Sequence, residues 1–210
     1  KNLISNKIRK NILDMAYSGS TVHIGCALCL VEIFIVIYRN HLKYDYMKPN
    51  DPNRDFLILS KGHGVMAQYA CMKELGWLKK SDLLNYFSDG TKLKGLSDSR
   101  VKGLEVTSGS LGHGLSVGVG IALGNKINET EQKTFIIVGD GELNEGSCWE
   151  AIQFAGHHAL SNVCMIVDKN NFQAMDKTSN IINQENLVAQ IEAFNFNVIE
   201  VNGHNEDAID

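Results

Sequence analysis

The chain has 210 residues, of which 44% are hydrophobic and 21% are charged, so it contains enough apolar sequence for one substantial core. The formal net charge of −4, without a long basic cluster, argues against a nucleic-acid-binding protein. No apolar run approaches the roughly 18 residues that a membrane span needs, and the amino terminus lacks an apolar signal core. We therefore expect a cytoplasmic protein without a membrane partner.

The first half of the chain is predicted to alternate helices, loops and one strand. The strand Phe56–Leu59 runs into the turn Ser60–Gly64, which places His63 at a strand's carboxyl end. A histidine in that position is more often a cap or a structural hydrogen-bonding group than a ligand contact. Ser81 is predicted to cap a short helix that ends at Phe87. The other predicted elements are an amphipathic helix over residues 2–16, a nearly all-apolar helix over residues 26–38 that is buried on more than one side, a loop over residues 45–55 and a helix over residues 65–75.

The five cysteines are scattered through apolar segments, which is not the pattern of a secreted disulfide framework. Cys26 and Cys29 have the spacing of a redox motif, but they lie inside a predicted helix with no second pair and no preceding strand. We interpret them as small buried hydrophobic residues.

A long loop and a glycine-rich helix follow. Residues 88–110 are rich in Gly, Ser, Asp and Lys, and a loop of that length is usually functional or disordered. The segment Gly109–Gly114 opens a helix that continues through Lys126 and carries Gly118, Gly120 and Gly124. Because glycine is a poor helix former, we expect this helix to pack closely against another helix, as an interface element would.

The centre of the chain is a predicted strand-helix-strand unit. Residues 134–138 form a buried strand that ends at Gly139-Asp140-Gly141, and a second buried strand over residues 163–167 runs into Asp168–Phe172. Between them lies a helix with an acidic first turn, Glu142 to Glu145. Its predicted buried face is Trp149, Ile152, Gln153, Ala155 and Gly156.

A crossover of this kind joins parallel strands, so Asp140 and Asn170 should lie at one edge of the sheet, where open α/β sheets bind ligands. Gly139 and Gly141 would leave the backbone free to approach that ligand. A carboxylate, an amide oxygen and a helix amino terminus together suit a diphosphate held through Mg²⁺. After this unit we predict a polar loop over residues 172–183, a helix over residues 185–194 and a last strand over residues 197–201.

The spacing from Gly139-Asp140-Gly141 to Asn170 resembles the thiamine-diphosphate motif, and the surrounding sequence is similar to the amino-terminal half of transketolase. The resemblance implies an α/β fold, doubly wound, with a mainly parallel sheet and helices on both faces. It also implies that residues 1–210 form a single domain that binds the diphosphate and magnesium, with the pyrimidine-binding domain absent. The carboxyl end looks truncated by this comparison.

Residue by residue, the resemblance assigns several site roles. His63 is similar to the family's diphosphate-contacting histidine and His23 to its substrate-side histidine, while Gly109, Ser110 and Leu111 match the loop that holds the aminopyrimidine. The metal ligands map to Asp140, Asn170 and the main-chain carbonyl of Phe172, and Gly141 donates to the diphosphate. Glu145 matches an acid in a hydrogen-bond path between paired active sites. A structural role explains Glu145 equally well, because the helix dipole favours an acidic residue in the first turn.

One position departs from the family pattern. Where transketolases usually have Gly-His-Pro, this chain has Gly95-Leu96-Ser97, and leucine cannot hydrogen-bond or transfer a proton.

The resemblance implies a thiamine-diphosphate- and Mg²⁺-dependent transfer of a two-carbon ketol unit from a ketose to an aldose. The missing half implies a split enzyme whose partner is a separate carboxyl-terminal subunit, in a dimer of heterodimers, unless this chain is a fragment of a longer one.

Other functions remain open at this point. A subunit of a 2-oxo acid dehydrogenase or of a deoxyxylulose-phosphate synthase would share the central motif. A catalytically silent assembly or regulatory subunit would explain Leu96. His23, His63 and the loop at residues 105–112 favour transketolase.

Overall fold

A parallel sheet lies at the centre of the computed structural model, which describes residues 3–20, 23–49 and 51–210. Its strands are β1 (Phe56–Leu59), β2 (Thr134–Gly139) and β3 (Val163–Asp168), in the order β1-β2-β3. Thr134 pairs with Phe56 on one side and with Val163 on the other. All three strands therefore end at the same edge of the sheet, as the sequence predicted.

The helices follow the predicted order. The longest are α1 and α6, with 15 residues each. The bounds are α1 Ser5–Gly19, α2 Ile24–Cys29, α3 Val31–Val36 followed by a π-helical turn Ile37–His41, α4 Val65–Glu74, α5 Lys80–Leu84, α6 His113–Ile127, α7 Gly146–His157, α8 Thr178–Ile181, α9 Leu187–Glu192 and α10 Glu206–Ile209.

The side chains of β2 alternate between two apolar cores, one on each face of the sheet. Phe135 and Ile137 join a core with residues of α1, α3 and α4. Ile136 and Val138 join a second core with residues of α6 and α7. Since alternate residues of a strand point to opposite faces, helices cover both faces of this sheet. The predicted α/β fold with helices on both faces is confirmed.

The amino-terminal helices differ in detail from the prediction. The first begins at Ser5 and continues to Gly19; residue 2 lies outside the described part of the chain, as do residues 21, 22 and 50. The predicted helix over residues 26–38 is broken near Leu30, whose N–H bonds to the carbonyl of Ala27, three residues back. Its burial is as predicted, since every residue of α3 is buried.

The prediction of strands at the far edge of the sheet was wrong in two respects. β3 was expected to be buried, but its residues are mostly half-buried and Cys164 is exposed, because β3 is the last strand of this three-stranded sheet. Residues 197–201 do not form a strand, and Ile199 is 76% exposed. An extended segment without a paired neighbour has no ladder of hydrogen bonds to hold it in a sheet.

Two predicted helix starts were also wrong. Ser81 lies inside α5 instead of capping it. The N-cap residue is Lys79, and its N–H donates a hydrogen bond to the Asp82 carboxylate. Glu142 is not in the first turn of α7; it lies in a separate 3₁₀ turn, Gly141–Asn144, and Glu145 is the N-cap of α7.

Smaller differences concern the surfaces. On α7, Gln153 is exposed, so it does not belong to the buried face. The predicted polar loop after β3 contains the short helix α8. All five cysteines are free; Cys71 and Cys148 are buried, whereas Cys26 and Cys29 are only half-buried. Among the described residues, no helix is both long enough and apolar enough to span a bilayer.

Candidate functional site at the carboxyl edge of the sheet

Asp140 follows β2 directly and is 2% exposed. Its Oδ1 accepts a hydrogen bond from the N–H of Gly141 at 2.8 Å. Its Oδ2 accepts from the N–H of Asn171 at 2.8 Å and from the hydroxyl of Thr178 at 3.0 Å. The carboxylate is therefore held by the turn after β2 and by the loop after β3, and the second of these carries Asn170.

Asn170 follows β3 and has both ends of its amide engaged. The amide nitrogen donates to Asp168 Oδ2 at 3.3 Å, and Oδ1 accepts from the N–H of Phe172 at 2.9 Å. Asn171 has a left-handed φ of 64°, a conformation that asparagine tolerates better than most residues. This turn brings the loop back over Asp140, so the sheet brings Asp140 and Asn170 to neighbouring positions.

The oxygen donors suit a hard divalent cation. Oδ1 of Asp140 and Oδ1 of Asn170 each accept one hydrogen bond, and an sp² oxygen has two lone pairs, so each retains capacity for a ligand. The described residues contain no group of three or more His, Cys, Asp or Glu side chains arranged for a metal. A site with one carboxylate is typical of Mg²⁺ that shares its coordination with phosphate oxygens.

A buried, unpartnered donor also points to an anion here. Nε2 of Gln173 is buried and has no hydrogen-bond partner. Gln173 lies against Gly141, where a methyl group would come within 3.0 Å of its Cγ. An orphan N–H beside the glycine of the motif fits the approach of a phosphate oxygen. The residues present therefore fit both a diphosphate and its metal.

A buried ion pair crosses the same edge of the sheet. Lys61, just after β1, is paired with Asp168 at the end of β3, and their side chains are 2% and 9% exposed. Burial alone would lower the pKa of Lys61, but Cys26 and Asp168 beside it raise that pKa above its ordinary value. The ammonium group therefore stays charged.

Gly139 makes this crossing possible. The Lys61 side chain passes over it, and a methyl group at Gly139 would lie 3.2 Å from Lys61 Cδ. The motif predicts that Gly139 leaves the backbone free for the approach of a ligand. In the structure, the lysine stem occupies that space.

Glu142 ties the loops around the site together, although the sequence analysis placed it only in a helical first turn. It is 2% exposed, and its Oε1 accepts from the Ser60 hydroxyl at 2.5 Å and from the N–H of Gly112 at 2.9 Å. Its Oε2 accepts from the N–H of Gly139 at 3.2 Å. One carboxylate thus joins the ends of β1 and β2 to the start of α6.

His23 and His63 come together from separate segments, with ring centroids 5.0 Å apart. Burial, together with the neighbouring His23 and Lys61, lowers the pKa of His63 from 6.5 to about 4. His63 is therefore neutral near pH 7, where it can both donate and accept a hydrogen bond. His23 is exposed.

The long loop over residues 88–110 packs onto the His63 turn. The N–H of Ser97 donates to the carbonyl of Gly62 at 3.2 Å, and the N–H of Ser108 donates to the carbonyl of Ser97 at 3.1 Å. Leu96 lies on Gly109: a methyl group there would come within 2.7 Å of Leu96 Cδ1, and the φ of Gly109 is +145°. Leu96 is 45% exposed, so it presents an apolar surface beside the histidine turn.

The remaining predicted site residues lie at the rim. Ser110 is exposed and Leu111 is half-buried, just before α6. Glu145 is exposed, and its side chain makes no capping hydrogen bond with α7. Phe172 is 62% exposed on the loop after β3.

Sequence reasoning missed Lys61, Asp168, Thr178 and Gln173. Lys61 and Asp168 each stand at the end of an apolar strand, and two opposite charges at one buried edge were a signal that could have paired them. Thr178 and Gln173 depend on how the loop after β3 folds back, for which the sequence offers no periodic signal.

Over residues 1–210 the chain matches the family model described as "Transketolase, thiamine diphosphate binding domain". The chain belongs to the transketolase family. It is a thiamine-diphosphate-binding domain of that family, as the motif spacing predicted.

Individual relatives agree with this assignment. The chain is 35% identical over 203 residues to one subunit of the apulose-4-phosphate transketolase of Phocaeicola vulgatus, covering 96% of this chain and 72% of the relative. It is 36% identical to SqwG, a subunit of the 6-deoxy-6-sulfo-D-fructose transketolase of Clostridium sp., covering 98% of this chain and 75% of the relative.

Solved transketolase structures share the fold. The Leishmania mexicana enzyme superimposes with a TM-score of 0.92 at 30% identity, and the Campylobacter jejuni enzyme with 0.92 at 31% identity. Each comparison covers 98% of this chain, but only 32% and 33% of those chains. This chain therefore spans about a third of the solved transketolases that it matches.

Proposed function

We propose that this chain is the amino-terminal subunit of a split transketolase, which binds thiamine diphosphate and Mg²⁺ and transfers a two-carbon ketol unit from a ketose to an aldose. The observation that carries the proposal is the meeting of Asp140 and Asn170 at the carboxyl edge of adjacent parallel strands, with spare acceptor capacity on both. When bound, thiamine diphosphate supplies the carbon nucleophile and stores the electrons of the broken carbon–carbon bond.

The metal-binding step belongs to the loops after β2 and β3. Asp140, Asn170 and the carbonyl of Phe172 would hold Mg²⁺, and the N–H of Gly141, which donates to Asp140 Oδ1 at 2.8 Å, would be shared with the diphosphate. Asp140 is already fixed by three hydrogen bonds, so little ordering is needed when the ion arrives. Asn170 serves as both metal ligand and cofactor contact.

The histidine pair acts on the polar groups of cofactor and substrate. Neutral His63 donates a hydrogen bond to the diphosphate without adding a charge, in keeping with its low pKa. His23, exposed beside it, reaches the substrate hydroxyl or carbonyl and takes or returns a proton there. Gly109, Ser110 and Leu111 support the aminopyrimidine.

A second subunit completes the site. Three relatives are each named as one subunit of a transketolase, two acting on apulose 4-phosphate and one on 6-deoxy-6-sulfo-D-fructose. In this chain the site edge exposes apolar side chains that a partner would cover, with Phe172 at 62% and Met175 at 84% exposed. We propose a carboxyl-terminal, pyrimidine-binding partner and a dimer of heterodimers, in which exposed Glu145 joins the hydrogen-bond path between the paired sites.

The donor is proposed to be a modified or branched ketose or its phosphate. Leu96 offers no hydrogen bond on the substrate side of Gly109. The relatives described above are named for apulose 4-phosphate and 6-deoxy-6-sulfo-D-fructose. Both names describe sugars that differ from the usual ketose phosphates.

A ketol-transfer assay on the coexpressed pair of subunits tests the proposal. We expect activity from the pair on at least one ketose of a panel and none from either half by itself. Turnover of pyruvate without ketol transfer would favour the dehydrogenase or deoxyxylulose-phosphate-synthase alternative. Cofactor binding with no turnover of any donor would favour a silent assembly subunit.

A further inference from the structure

Lys61, Asp168 and Asn170 form a connected polar chain beneath the proposed metal site. Lys61 is ion-paired with Asp168, and Asp168 Oδ2 also accepts the amide hydrogen of Asn170 at 3.3 Å. From these contacts we infer that Lys61 is a positioning residue: through Asp168, it fixes the orientation of the Asn170 amide so that the oxygen, and not the nitrogen, faces the metal. This inference rests on the proposed function and names a residue outside its ligand set.

The route of the lysine side chain supports this role. Lys61 starts at the end of β1, crosses β2 at Gly139 and reaches Asp168 at the end of β3. Any side chain at residue 139 would meet it. The absence of a side chain at Gly139 in the central strand therefore leaves room for the contact between Lys61, after β1, and Asp168 of β3.

Stability alone does not account for such a pair. Removing two charges from water costs several kcal/mol per ion, and apolar replacements of buried pairs are often neutral or stabilising. Lys61 is nevertheless buried, at 2% exposure. Its burial is therefore better explained by a role other than stability, and the contact of Asp168 with Asn170 suggests that this role is to position the Asn170 amide.

The orientation of an amide matters to a metal. With its nitrogen donating to Asp168, Asn170 must direct Oδ1 to the other side, where Phe172 donates to it. Without an acceptor at Asp168, only the N–H of Phe172 favours this orientation, and an amide that turns over presents an N–H₂ group, which has no lone pair for Mg²⁺. A hard cation needs the oxygen.

The test is Mg²⁺ affinity in the assembled complex of both subunits, measured by calorimetry at saturating thiamine diphosphate. The main variant is Lys61→Met/Asp168→Leu, which removes the acceptor without leaving a lone buried charge. We expect it to keep its free energy of unfolding and to bind Mg²⁺ at least tenfold more weakly. Lys169→Met, at an exposed lysine paired with Glu200 at 3.4 Å, is the matched control and should bind like wild type.

The possible outcomes distinguish a failure of the proposed function from a failure of the positioning role of Lys61. If wild type shows no Mg²⁺-dependent cofactor binding, the proposed function fails. If wild type binds and the folded double variant binds equally well, the positioning role is overturned. If the double variant does not fold, Lys61→Met decides: it removes the ion pair that fixes Asp168 and is expected to weaken Mg²⁺ binding at least threefold, and unchanged affinity overturns the inference.

Discussion

The carboxylate of Glu142 accepts a hydrogen bond from the main-chain N–H of Gly112, 30 positions earlier in the chain. The same oxygen accepts the Ser60 hydroxyl, whose oxygen in turn accepts the N–H of Leu115. The first turn of α6 is thus joined to the end of β1 through one buried carboxylate. This network sets where the proposed aminopyrimidine loop ends.

We predict that Glu142→Gln lowers the free energy of unfolding by about 1–3 kcal/mol, because an amide offers one acceptor where the carboxylate offers two, leaving a buried donor unpaired. Urea denaturation measures the change. Glu131→Gln, at an exposed position before β2, should leave stability within about 0.5 kcal/mol of wild type. Equal stability of the two variants would contradict the role of Glu142.

The glycines of α6 should respond in opposite ways to alanine. A methyl group at Gly118 would lie 2.4 Å from Ile136 Cδ1, whereas at Gly120 it would meet nothing within 4 Å. We predict that Gly118→Ala destabilises the fold by about 1–3 kcal/mol, through overpacking of α6 on the sheet. Gly120→Ala should stabilise it by about 0.4–1 kcal/mol, because alanine restricts the unfolded chain. Thermal or urea unfolding of both variants measures these changes. A change of the same sign in the free energy of unfolding of both variants would refute the packing argument.

His63 should make stability depend on pH in a defined window. Its pKa is about 4 in the folded chain against 6.5 ordinarily, so between these values the unfolded chain binds more protons. The free energy of unfolding therefore falls as the pH is lowered from 6.5 to 4, with no contribution from His63 above that range. His63→Gln should flatten this part of the curve, and His157→Gln, at an exposed position on α7, should not. An unchanged slope in His63→Gln would contradict the burial of a neutral imidazole.

Leu96 should control the choice of donor. We predict that Leu96→His raises kcat/KM for unmodified ketose phosphates by up to about tenfold, since one new hydrogen bond contributes about 0.5–1.5 kcal/mol. The comparison is the ratio of kcat/KM between an unmodified and a modified ketose in the assembled enzyme. Leu84→His, at a 49% exposed leucine of α5, is the control. If both variants leave the ratio unchanged, Leu96 does not contact the donor.

Much of the fold could be predicted because it depends on local pattern. The apolar runs at β1 and β2 and the turn residues that end them placed Asp140 correctly at the edge of the sheet. The same reasoning failed for residues 197–201, since a segment rich in β-branched residues forms a strand only if a neighbour is available to pair with it. It failed again at Ser81, where the capping contact comes from Asp82.

The site was predictable only in part. Motif spacing and family resemblance pointed to Asp140, Asn170 and the histidines. The supports around them, Lys61 over Gly139 and Glu142 under Gly112, depend on contacts between segments far apart in sequence. The opposite charges of Lys61 and Asp168 at the ends of apolar strands were a signal for their pairing, but no periodicity records that Glu142 faces Gly112, so that contact emerged only from the folded chain.

The central claim is that Asp140 holds a metal that binds the cofactor, and Mg²⁺-dependent binding of thiamine diphosphate tests it most directly. Calorimetry on the assembled complex should show cofactor binding that requires Mg²⁺ in wild type and in Asp14→Asn, a control at an α1 carboxylate paired with Lys10. Asp140→Asn, which keeps the shape of the side chain, should lose that binding by a hundredfold or more. Wild-type affinity in Asp140→Asn, or cofactor binding that is indifferent to Mg²⁺, would contradict the account.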